Sequence, residues 1–390
     1  MFLVRCFFAV VLAGLLGTNC QRVSGEGKPP ARRALPPPLG STRPLFPEGS
    51  VAISIPIEPL GKRLREKTRS INSLESLTIN GVKQWLLIQS NDTTQPILLI
   101  LHGGPGYAFL PLFHGFNKAL EDHFIVVNWD QRGAGRSYSP TISPSSLTLR
   151  QLLADLEEIT RYLKKRFHRR KIYLLGHSFG TVLGLSAVKK HPENYHAYIA
   201  VGQVIGPIPN EIAMYDWTLR QAIRSKNSRA VKELKLIGRP DEEGQYPDKG
   251  PEGADPYETA EGWMRYYGGE LYKKRDSTEI DRWLLDQPEY HGKWGKKWRA
   301  GIPFSKKILT DPAAWTLDFR KTVKKVKLPV FFFQGRHDYE TPAPLVKEYA
   351  ATLKAPRKKL IWFDNSAHFP FYEESSAFNK TLVKVVKPNT

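Results

Sequence analysis

The sequence Gly-His-Ser-Phe-Gly, residues 176–180, decides the fold of this chain. It follows the apolar run 172–175 and precedes residues 181–188, whose pattern is typical of a helix. Glycines two residues either side of Ser178 permit a turn so tight that a Cβ there would collide with the backbone. Such a turn exposes the Ser178 hydroxyl at a helix start, where N–H groups favour developing negative charge. The pattern also arises by chance, so its interpretation depends on the motifs around it.

A second motif, His-Gly-Gly-Pro-Gly at residues 102–106, follows the apolar run 97–101. A glycine loop after a strand can direct backbone N–H groups of Gly103 or Gly104 at a carbonyl oxygen. The N–H of Phe179, directly after the serine, would supply a second donor. Two such donors form an oxyanion hole, in which each contributes about 3–4 kcal/mol of transition-state stabilisation.

A third motif, Asp-Gln-Arg-Gly-Ala-Gly-Arg-Ser at residues 130–137, follows the apolar run 124–127. Its Gly-x-Gly could suggest phosphate binding. We reject this interpretation because no helix pattern follows directly and the third glycine of the phosphate fingerprint is missing.

In this order and spacing, the three motifs resemble those of the proline iminopeptidase family of α/β-hydrolases, over roughly residues 70–385. The resemblance implies an α/β fold with a mostly parallel central sheet, helices on both faces and an inserted, mainly helical cap. The alternation of strand-like and helix-like segments predicts the same sheet. One departure is Phe179, where the family usually has tryptophan. This change keeps the main-chain donor but alters the surface that faces the substrate.

A serine hydroxyl needs a base, and the base needs an orienting acid. In α/β-hydrolases the acid and then the histidine follow the serine along the chain. His368 is the predicted base, because it lies in a loop after the strand-like run 360–363. Histidines nearer the serine lie too close to its helix, and His291 has no strand before it.

The predicted acid is Asp338, in the loop after the strand-like run 330–333. It matches the Gly-Arg-x-Asp loop of the family residue by residue. Glu340 is the alternative, since a carboxylate two residues further on could reach the same imidazole. His337 is interpreted as a bystander, and Asp364 as a turn residue.

From about residue 207 the alternation of strand-like and helix-like segments stops. A segment with six tryptophans follows, and strand-like residues resume near residue 328. An insertion here is where α/β-hydrolases place a lid that selects the substrate. The predicted organisation is a signal peptide (1–25), a Pro-rich disordered spacer (26–50), a first core segment (51–206), a cap (207–326) and a second core segment (327–390).

The N-terminus resembles a secretory signal. Arg5 precedes an apolar run at 7–16 that is too short to span a bilayer, and cleavage could follow Gly25. Lipid attachment at Cys20 and an uncleaved anchor remain alternatives. We expect an exported protein, periplasmic or extracellular, with membrane attachment only through Cys20 lipidation or a retained signal.

The formal net charge of +20 could suggest a nucleic-acid partner. Residues 206–326 contain 23 basic and 19 acidic residues and contribute only +4. The basic clusters at 164–171 and 321–327 are most simply solvated faces, so no nucleic-acid partner is expected. The only cysteines are Cys6 and Cys20, and no His-Glu-x-x-His occurs, so neither a metal nor another cofactor is expected.

The resemblance implies that cap glutamates recognise the protonated amine of a peptide. Residues 231–290 contain 15 acids against 9 bases, although most surface acids are only solvated. No single acid can be matched to a family position. The candidates are Glu211, Glu258, Glu261 and Glu270.

The resemblance therefore implies a serine aminopeptidase that releases N-terminal proline or other residues from short peptides. The alternative is a carboxylester or amide hydrolase with the same triad of Ser178, Asp338 and His368. Epoxide hydrolysis is disfavoured because that chemistry uses aspartate where this chain has Ser178. A non-catalytic binding protein is disfavoured by the complete triad. The sequence indicates no oligomeric state.

Overall fold

The computed structural model describes residues 69–386 of the 390-residue chain. The predicted signal peptide (1–25) and spacer (26–50), with both cysteines, lie outside the described residues. Residues 51–68 of the first core segment and residues 387–390 also lie outside them.

The strands of the described residues form one eight-stranded sheet. They are β1 (Ile71–Ile79), β2 (Val82–Ser90), β3 (Ile97–Leu101), β4 (Ile125–Asp130), β5 (Ile172–His177), β6 (Tyr195–Val201), β7 (Val330–Gly335) and β8 (Lys358–Phe363). Their order in the sheet is β1-β2-β4-β3-β5-β6-β7-β8. Strand β2 is antiparallel to β1 and β4, and the other neighbours are parallel. The mostly parallel sheet confirms the predicted fold class, and it brings the loops after β3, β5, β6, β7 and β8 to one edge.

Helices cover both faces of this sheet. The described α-helices are α1 (Leu112–Phe116), α2 (Leu149–Arg166), α3 (Phe179–Lys190), α4 (Pro207–Arg224), α5 (Ser228–Ile237), α6 (Pro256–Tyr266), α7 (Thr278–Asp286), α8 (Lys293–Ser305), α9 (Pro312–Trp315), α10 (Phe319–Thr322), α11 (Ala343–Thr352), α12 (Pro370–Glu373) and α13 (Ser375–Val386). Helices α2, α3 and α11 share one buried apolar cluster with the sheet, and α1 and α13 share another. Within residues 69–386, none of these helices combines the length and apolar character needed to cross a membrane.

Alternation along β3 explains how one strand serves both layers. Ile97, Leu99 and Leu101 belong to the cluster beneath α2 and α3, whereas Leu98 and Ile100 belong to the opposite cluster. All five are fully buried, because successive strand side chains point to opposite faces and both faces are covered.

The hairpin between β1 and β2 turns at Asn80 and Gly81, whose φ angles are 43° and 79°. Positive φ at both central positions is the requirement of a type I′ turn, and Asn-Gly satisfies it with little strain.

Helix α2 begins at Thr148, whose Oγ1 accepts a hydrogen bond from the Gln151 N–H at 3.1 Å. The Thr148 and Gln151 pair could form a reciprocal capping box. Instead, the Gln151 side chain donates to Asp155 Oδ1 at 2.9 Å, so only half of that motif forms. The second half is lost because a buried carboxylate one turn further on takes the Gln151 amide.

The buried Asp155 carboxylate joins the third sequence motif to the hairpin. Arg132 donates to it through Nε and Nη2 at 2.7 and 2.9 Å. The side chains of Asn80 and Gln84 donate to it at 2.8 and 2.9 Å. A buried charge pair is tolerated only when its remaining lone pairs are hydrogen-bonded, which is the case here. The arginine of Asp-Gln-Arg is therefore a structural residue.

Helices α4 to α10 lie between β6 and β7 and form the cap. Part of it has its own apolar cluster, which includes Met214, Leu234 and Met264. Four of its tryptophans contact the sheet domain. Trp298 Nε1 donates to the Ala108 carbonyl at 2.7 Å, and Trp217 stacks on Tyr339 with ring centroids 4.0 Å apart. The rings of Trp283 and Trp294 lie 4.8 and 5.4 Å from those of Phe116 and Trp85. These tryptophans therefore attach the cap to the sheet domain.

Candidate active site

Ser178 occupies a strained turn between β5 and α3, with φ 52° and ψ −125°. Non-glycine residues rarely adopt positive φ, and such strain persists only where the surroundings enforce it. A Cβ at Gly176 would lie 2.6 Å from the Gly180 carbonyl oxygen, and a Cβ at Gly180 would lie 2.2 Å from that of Leu101. Both glycines are thus required for the close approach of β5, α3 and β3.

Asp338 and His368 are in direct contact, with 3.0 Å between Asp338 Oδ2 and His368 Nδ1. Both side chains are buried. The Asp338 carboxylate also accepts from the Thr341 N–H at 2.8 Å and from Gln334 Nε2 at 2.9 Å. Asp338, and not the alternative Glu340, therefore faces His368 Nδ1. The second ring nitrogen of His368, Nε2, does not contact Asp338 and can take part in proton transfer.

The charge of Asp338 controls the titration of His368. Burial by itself lowers the pKa of His368, but the carboxylate charge and hydrogen bond of Asp338 outweigh it. The net pKa therefore lies above its ordinary value of 6.5. The pair favours the imidazolium that a general base becomes when it accepts a proton.

His368 lies against the serine turn. The His177 ring is 4.6 Å from the His368 ring, and His177 Nε2 donates to the His368 carbonyl at 3.0 Å. On the adjoining strand end, a Cβ at Gly202 would lie 2.9 Å from His368 Cε1. Burial holds the pKa of His177 well below its ordinary value, so His177 is neutral and acts as a hydrogen-bond donor.

The glycine loop after β3 packs directly on the serine. A Cβ at Gly103 would lie 2.7 Å from the Ser178 Cβ, which only glycine avoids. Within residues 69–386, the N–H groups of Gly103, Gly104 and Phe179 have no acceptor in a turn, cap or side chain. The three predicted oxyanion-hole donors therefore remain available to a substrate. Gly103 packs on Ser178, Gly104 follows Gly103 in the chain, and Phe179 follows Ser178.

His102 fixes the shape of this loop. Its Nδ1 donates to the Gly103 carbonyl at 2.9 Å, and its Nε2 accepts from the Gln131 N–H at 3.1 Å. Burial lowers the pKa of His102 to about 4, so the ring is neutral at pH 7. Because one nitrogen must donate and the other accept, only one tautomer fits, and it ties the second motif to the third.

Asp130 connects the third motif to the cap. Its Oδ1 accepts from the Tyr290 hydroxyl at 2.6 Å, and its Oδ2 accepts from the Arg136 N–H at 2.7 Å. Burial raises its pKa to about 7. The Arg136 guanidinium lies 4.5 Å from the Trp85 ring and 3.7 Å from the Trp294 ring. The motif therefore positions loops and cap and does not face the serine.

Two of the four cap acids predicted from the sequence lie together beside His368. Arg265 Nη2 donates to Glu261 Oε1 at 2.8 Å, and Arg265 Nε lies 3.2 Å from Glu270 Oε2. The Glu270 carbonyl accepts from the His368 N–H at 2.8 Å. We use the name buried acid cluster for the group formed by Glu261, Arg265, Glu270 and Glu340.

Glu340 completes this cluster from the core side. Burial raises its pKa to about 8, and the charge of Glu261 acts in the same direction. Its charge and that of Glu270 both raise the pKa of His368. The sequence indicated Glu340 only as an alternative orienting acid and did not indicate Arg265. The i, i+4 spacing from Glu261 to Arg265 could have predicted their ion pair on one face of a helix.

The charge of Glu261 also acts on the other two candidates, Glu211 and Glu258, but neither is among the groups that shift the pKa of His368. Glu211 is buried against Tyr246, and burial raises its pKa well above the ordinary range. Glu258 is half-buried at the start of α6. His337 stacks on Tyr272 with centroids 3.8 Å apart, away from the Asp338 contact. Within the described residues, no three His, Cys, Asp or Glu side chains are arranged to hold a metal ion.

Glu373 is a residue that sequence reasoning missed. Its Oε2 accepts from the N–H groups of Ala367 and Phe369 at 2.9 and 3.1 Å, on either side of His368. Its Oε1 accepts from the Tyr272 N–H of the cap at 2.7 Å. Burial raises its pKa to about 7. One carboxylate therefore holds the histidine loop and connects it to the cap.

A serine on a strained strand-to-helix turn, below a cap inserted before the last two strands, is the arrangement of an α/β-hydrolase. Solved structures share this fold. Proline iminopeptidase from Mycobacterium smegmatis has a TM-score of 0.57 at 14% identity, over 81% of this chain and 98% of that one. An epoxide hydrolase mutant from Vigna radiata has a TM-score of 0.53 at 19% identity, over 81% and 99%.

The chain belongs to the serine aminopeptidase family S33, whose model matches residues 92–375. It is 35% identical over 315 residues to the probable aminopeptidase YbaC of Bacillus subtilis, covering 80% of this chain and 96% of the relative. It is 25% identical over 292 residues to proline iminopeptidase from Saccharolobus solfataricus, covering 74% and 84%. These relatives confirm the resemblance to proline iminopeptidases that the three motifs indicate.

The role of Glu373 leads to a prediction for Glu373→Gln. The amide can present an acceptor to the histidine loop or to Tyr272, but not to both. We expect kcat to fall about tenfold to hundredfold, because displacement of a catalytic group by ~1 Å has effects of this size. KM should change less than twofold. Steady-state kinetics, with the melting temperature measured in parallel, provide the test.

Glu374→Gln is the matched control. Glu374 uses one oxygen, Oε2, to accept from the Asn365 N–H and the Ser366 hydroxyl, so glutamine can retain both bonds. Its kcat should stay near wild type. Equal losses in the two variants, or a change in KM alone for Glu373→Gln, would contradict the positioning role.

Proposed function

We propose that this hydrolase is a serine aminopeptidase that removes N-terminal residues, proline first, from short peptides. The observation that carries the proposal is the buried Asp338–His368 pair held against the turn of Ser178. A strained serine, an oriented imidazole and available backbone donors are the parts required for acyl transfer.

In the proposed reaction, His368 Nε2 removes the hydroxyl proton of Ser178 while the serine oxygen attacks the substrate carbonyl carbon. The N–H groups of Phe179 and of Gly103 or Gly104 stabilise the resulting oxyanion. The imidazolium then protonates the leaving amine, the carbon–nitrogen bond breaks and an acyl-serine forms. His368 next removes a proton from a water molecule that attacks the acyl carbon. The imidazolium returns this proton to Ser178 as the bond between the acyl group and the serine oxygen breaks, which releases the amino acid and restores Ser178. Asp338 holds His368 in the required tautomer throughout.

The buried acid cluster supplies the proposed amine site. An aminopeptidase substrate carries its ammonium one carbon from the scissile carbonyl, so anionic groups must lie near the serine and histidine. Two observations support Glu270 and Glu340 in this role: the Glu270 carbonyl accepts from the His368 N–H at 2.8 Å, and Glu340 lies two residues after Asp338. The charges of both also raise the pKa of His368. Arg265 compensates part of the charge of Glu261 and Glu270 before substrate enters. An ammonium beside Glu340 would lower the pKa of that carboxyl from about 8, so binding would release a proton near neutral pH.

The relatives support this substrate class over the alternative. The Bacillus relative is named a probable aminopeptidase and several others are named proline iminopeptidases. A carboxylester or amide hydrolase would use the same three residues but has no need of a buried carboxylate group beside the histidine. The epoxide hydrolase likeness is one of fold, and serine stands at the nucleophile position here.

The first test compares substrates on the purified enzyme. We expect release of p-nitroaniline from proline p-nitroanilide, with much weaker turnover of short p-nitrophenyl esters. Ser178→Ala should lose at least about a thousandfold in kcat, because the nucleophile itself is removed. Ester turnover without anilide cleavage would establish the alternative, and near-wild-type activity of Ser178→Ala would exclude the serine mechanism.

The second test addresses the amine site through Glu270→Gln. Loss of one charged hydrogen bond to the ammonium should reduce kcat/KM for proline p-nitroanilide about tenfold to hundredfold. Any hydrolysis of p-nitrophenyl acetate, which has no ammonium, should change far less, because Asp338 and Glu340 still act on His368. Glu242→Gln is the control, because Glu242 is an exposed cap acid, and it should match wild type on both substrates. A parallel loss on both substrates in Glu270→Gln would indicate damage to the catalytic residues instead.

A further inference from the structure

Four basic segments lie at the start of four neighbouring parallel strands. They precede or open β5, β6, β7 and β8, and we call them together the basic edge: residues 164–171, 189–190, 321–327 and 354–359. Because parallel strands begin at one edge of a sheet and end at the other, these segments lie opposite the loops of Ser178, Asp338 and His368. A six-residue strand such as β5 separates the two edges by about 20 Å.

Contacts show that the segments adjoin one another. Lys189 Nζ donates to the Lys325 carbonyl at 3.4 Å, which links the end of α3 to the segment before β7. Lys325 pairs with Lys354 as a parallel bridge, which links the segments before β7 and β8. Lys164 Nζ donates to Asn194 Oδ1 at 2.6 Å, which links the end of α2 to the turn before β6. The basic edge is therefore one continuous surface.

The charge of this surface is predominantly positive. Its segments contain no acidic residue, and the acids beside them are Glu193 in the turn before β6, Glu75 paired with Arg166, Glu157 at 3.8 Å from Lys190 and Asp318 at 4.0 Å from Lys321. Bases at the ends of α2 and α3 are expected, because they complement the helix dipoles. Lys321 also lies in the last turn of α10, and Lys358 donates to the Ala351 and Leu353 carbonyls at the end of α11 at 3.0 and 2.6 Å. Lys324, Lys325 and Lys327 lie in neither helix. The exposed members are Lys165, Arg170, Lys171, Lys189, Lys190, Lys321, Lys324, Lys325, Lys327, Lys354 and Lys359.

The chain enters the described structure at this same edge. The Arg69 carbonyl accepts from the Thr93 N–H at 2.8 Å, and Arg169 of the basic edge donates to the Thr93 carbonyl at 3.2 Å. The preceding 68 residues include the apolar run 7–16 and three bases between residues 28 and 33.

We propose that the basic edge docks on an anionic phospholipid bilayer and directs the catalytic loops away from the membrane. Exposed lysines near a bilayer surface are attracted to anionic head groups additively, so a continuous patch binds without a shaped pocket. The proposal concerns location and does not depend on the proposed aminopeptidase activity.

The exposed side chains favour lipid over single-stranded nucleic acid. Binding of unpaired bases uses exposed aromatic rings as stacking platforms. In the described residues the large exposed apolar side chains are Leu74, Ile223, Leu236 and Tyr266, and none lies in the basic edge. The exposed bases are mostly lysines, which act as point charges and lack the planar fork that arginine offers to the edge of a nucleic-acid base.

The test measures co-sedimentation of the full chain with vesicles of phosphatidylcholine alone or mixed with phosphatidylglycerol. The variant replaces four exposed lysines of the basic edge: Lys171→Gln, Lys190→Gln, Lys325→Gln and Lys359→Gln. The wild type should prefer the anionic vesicles, and raising salt from about 0.1 M to about 1 M should remove that preference. The variant should partition to anionic vesicles at least about tenfold more weakly. Binding to phosphatidylcholine alone, which reports the N-terminal segment, should not change.

A matched control makes the same charge change on exposed cap lysines: Lys226→Gln, Lys232→Gln, Lys235→Gln and Lys249→Gln. It should bind anionic vesicles like wild type, and all three proteins should hydrolyse a small substrate equally. Equal weakening in both variants would mean that only net charge matters and would overturn the proposal. Failure of wild type to prefer anionic vesicles would also overturn it, as would binding of duplex DNA, but not vesicles, through the same four lysines.

Discussion

The strained backbone at Ser178 is the constraint on which the rest of the site depends. A positive φ at a serine is held because β5, α3 and the end of β3 approach too closely for any residue but glycine at positions 176 and 180. The same crowding places Gly103 against the serine Cβ. Ser178 and the candidate oxyanion donors are thus fixed by one packing arrangement. The polar groups around them then need only to be oriented.

Electrostatics divide the surrounding groups into neutral supports and charged participants. Burial keeps His102 and His177 neutral, and each uses its ring to fix a loop through the backbone. His368 differs because Asp338, together with Glu340 and Glu270, counters the effect of burial on its pKa. The buried acid cluster adds negative charge near the imidazole. Arg265 reduces the free-energy cost of burying that charge, because it pairs with Glu261 and Glu270. Three buried histidines therefore perform different tasks because of their partners.

Motifs in the sequence were sufficient to predict the sheet, the serine turn and the contact of Asp338 with His368, because strand-loop patterns determine which loops share an edge. The cap was less predictable. Its acids acquire a role only through tertiary contacts, so Glu261 and Glu270 could not be separated from Glu211 and Glu258 by sequence. The sequence also could not show that the Gln151 amide donates to Asp155, the carboxylate that Arg132 of the third motif contacts. Nor could spacing show that basic segments far apart in sequence form one surface.

The most direct test of the central claim is covalent labelling of the serine by a fluorophosphonate, followed by peptide mass mapping. Only a serine activated by a neighbouring base reacts rapidly with this probe. The account predicts one label per chain on the peptide that contains Ser178, and loss of labelling in His368→Ala that retains the wild-type fold. Labelling that is absent in the wild type, or that persists unchanged in His368→Ala, would contradict it.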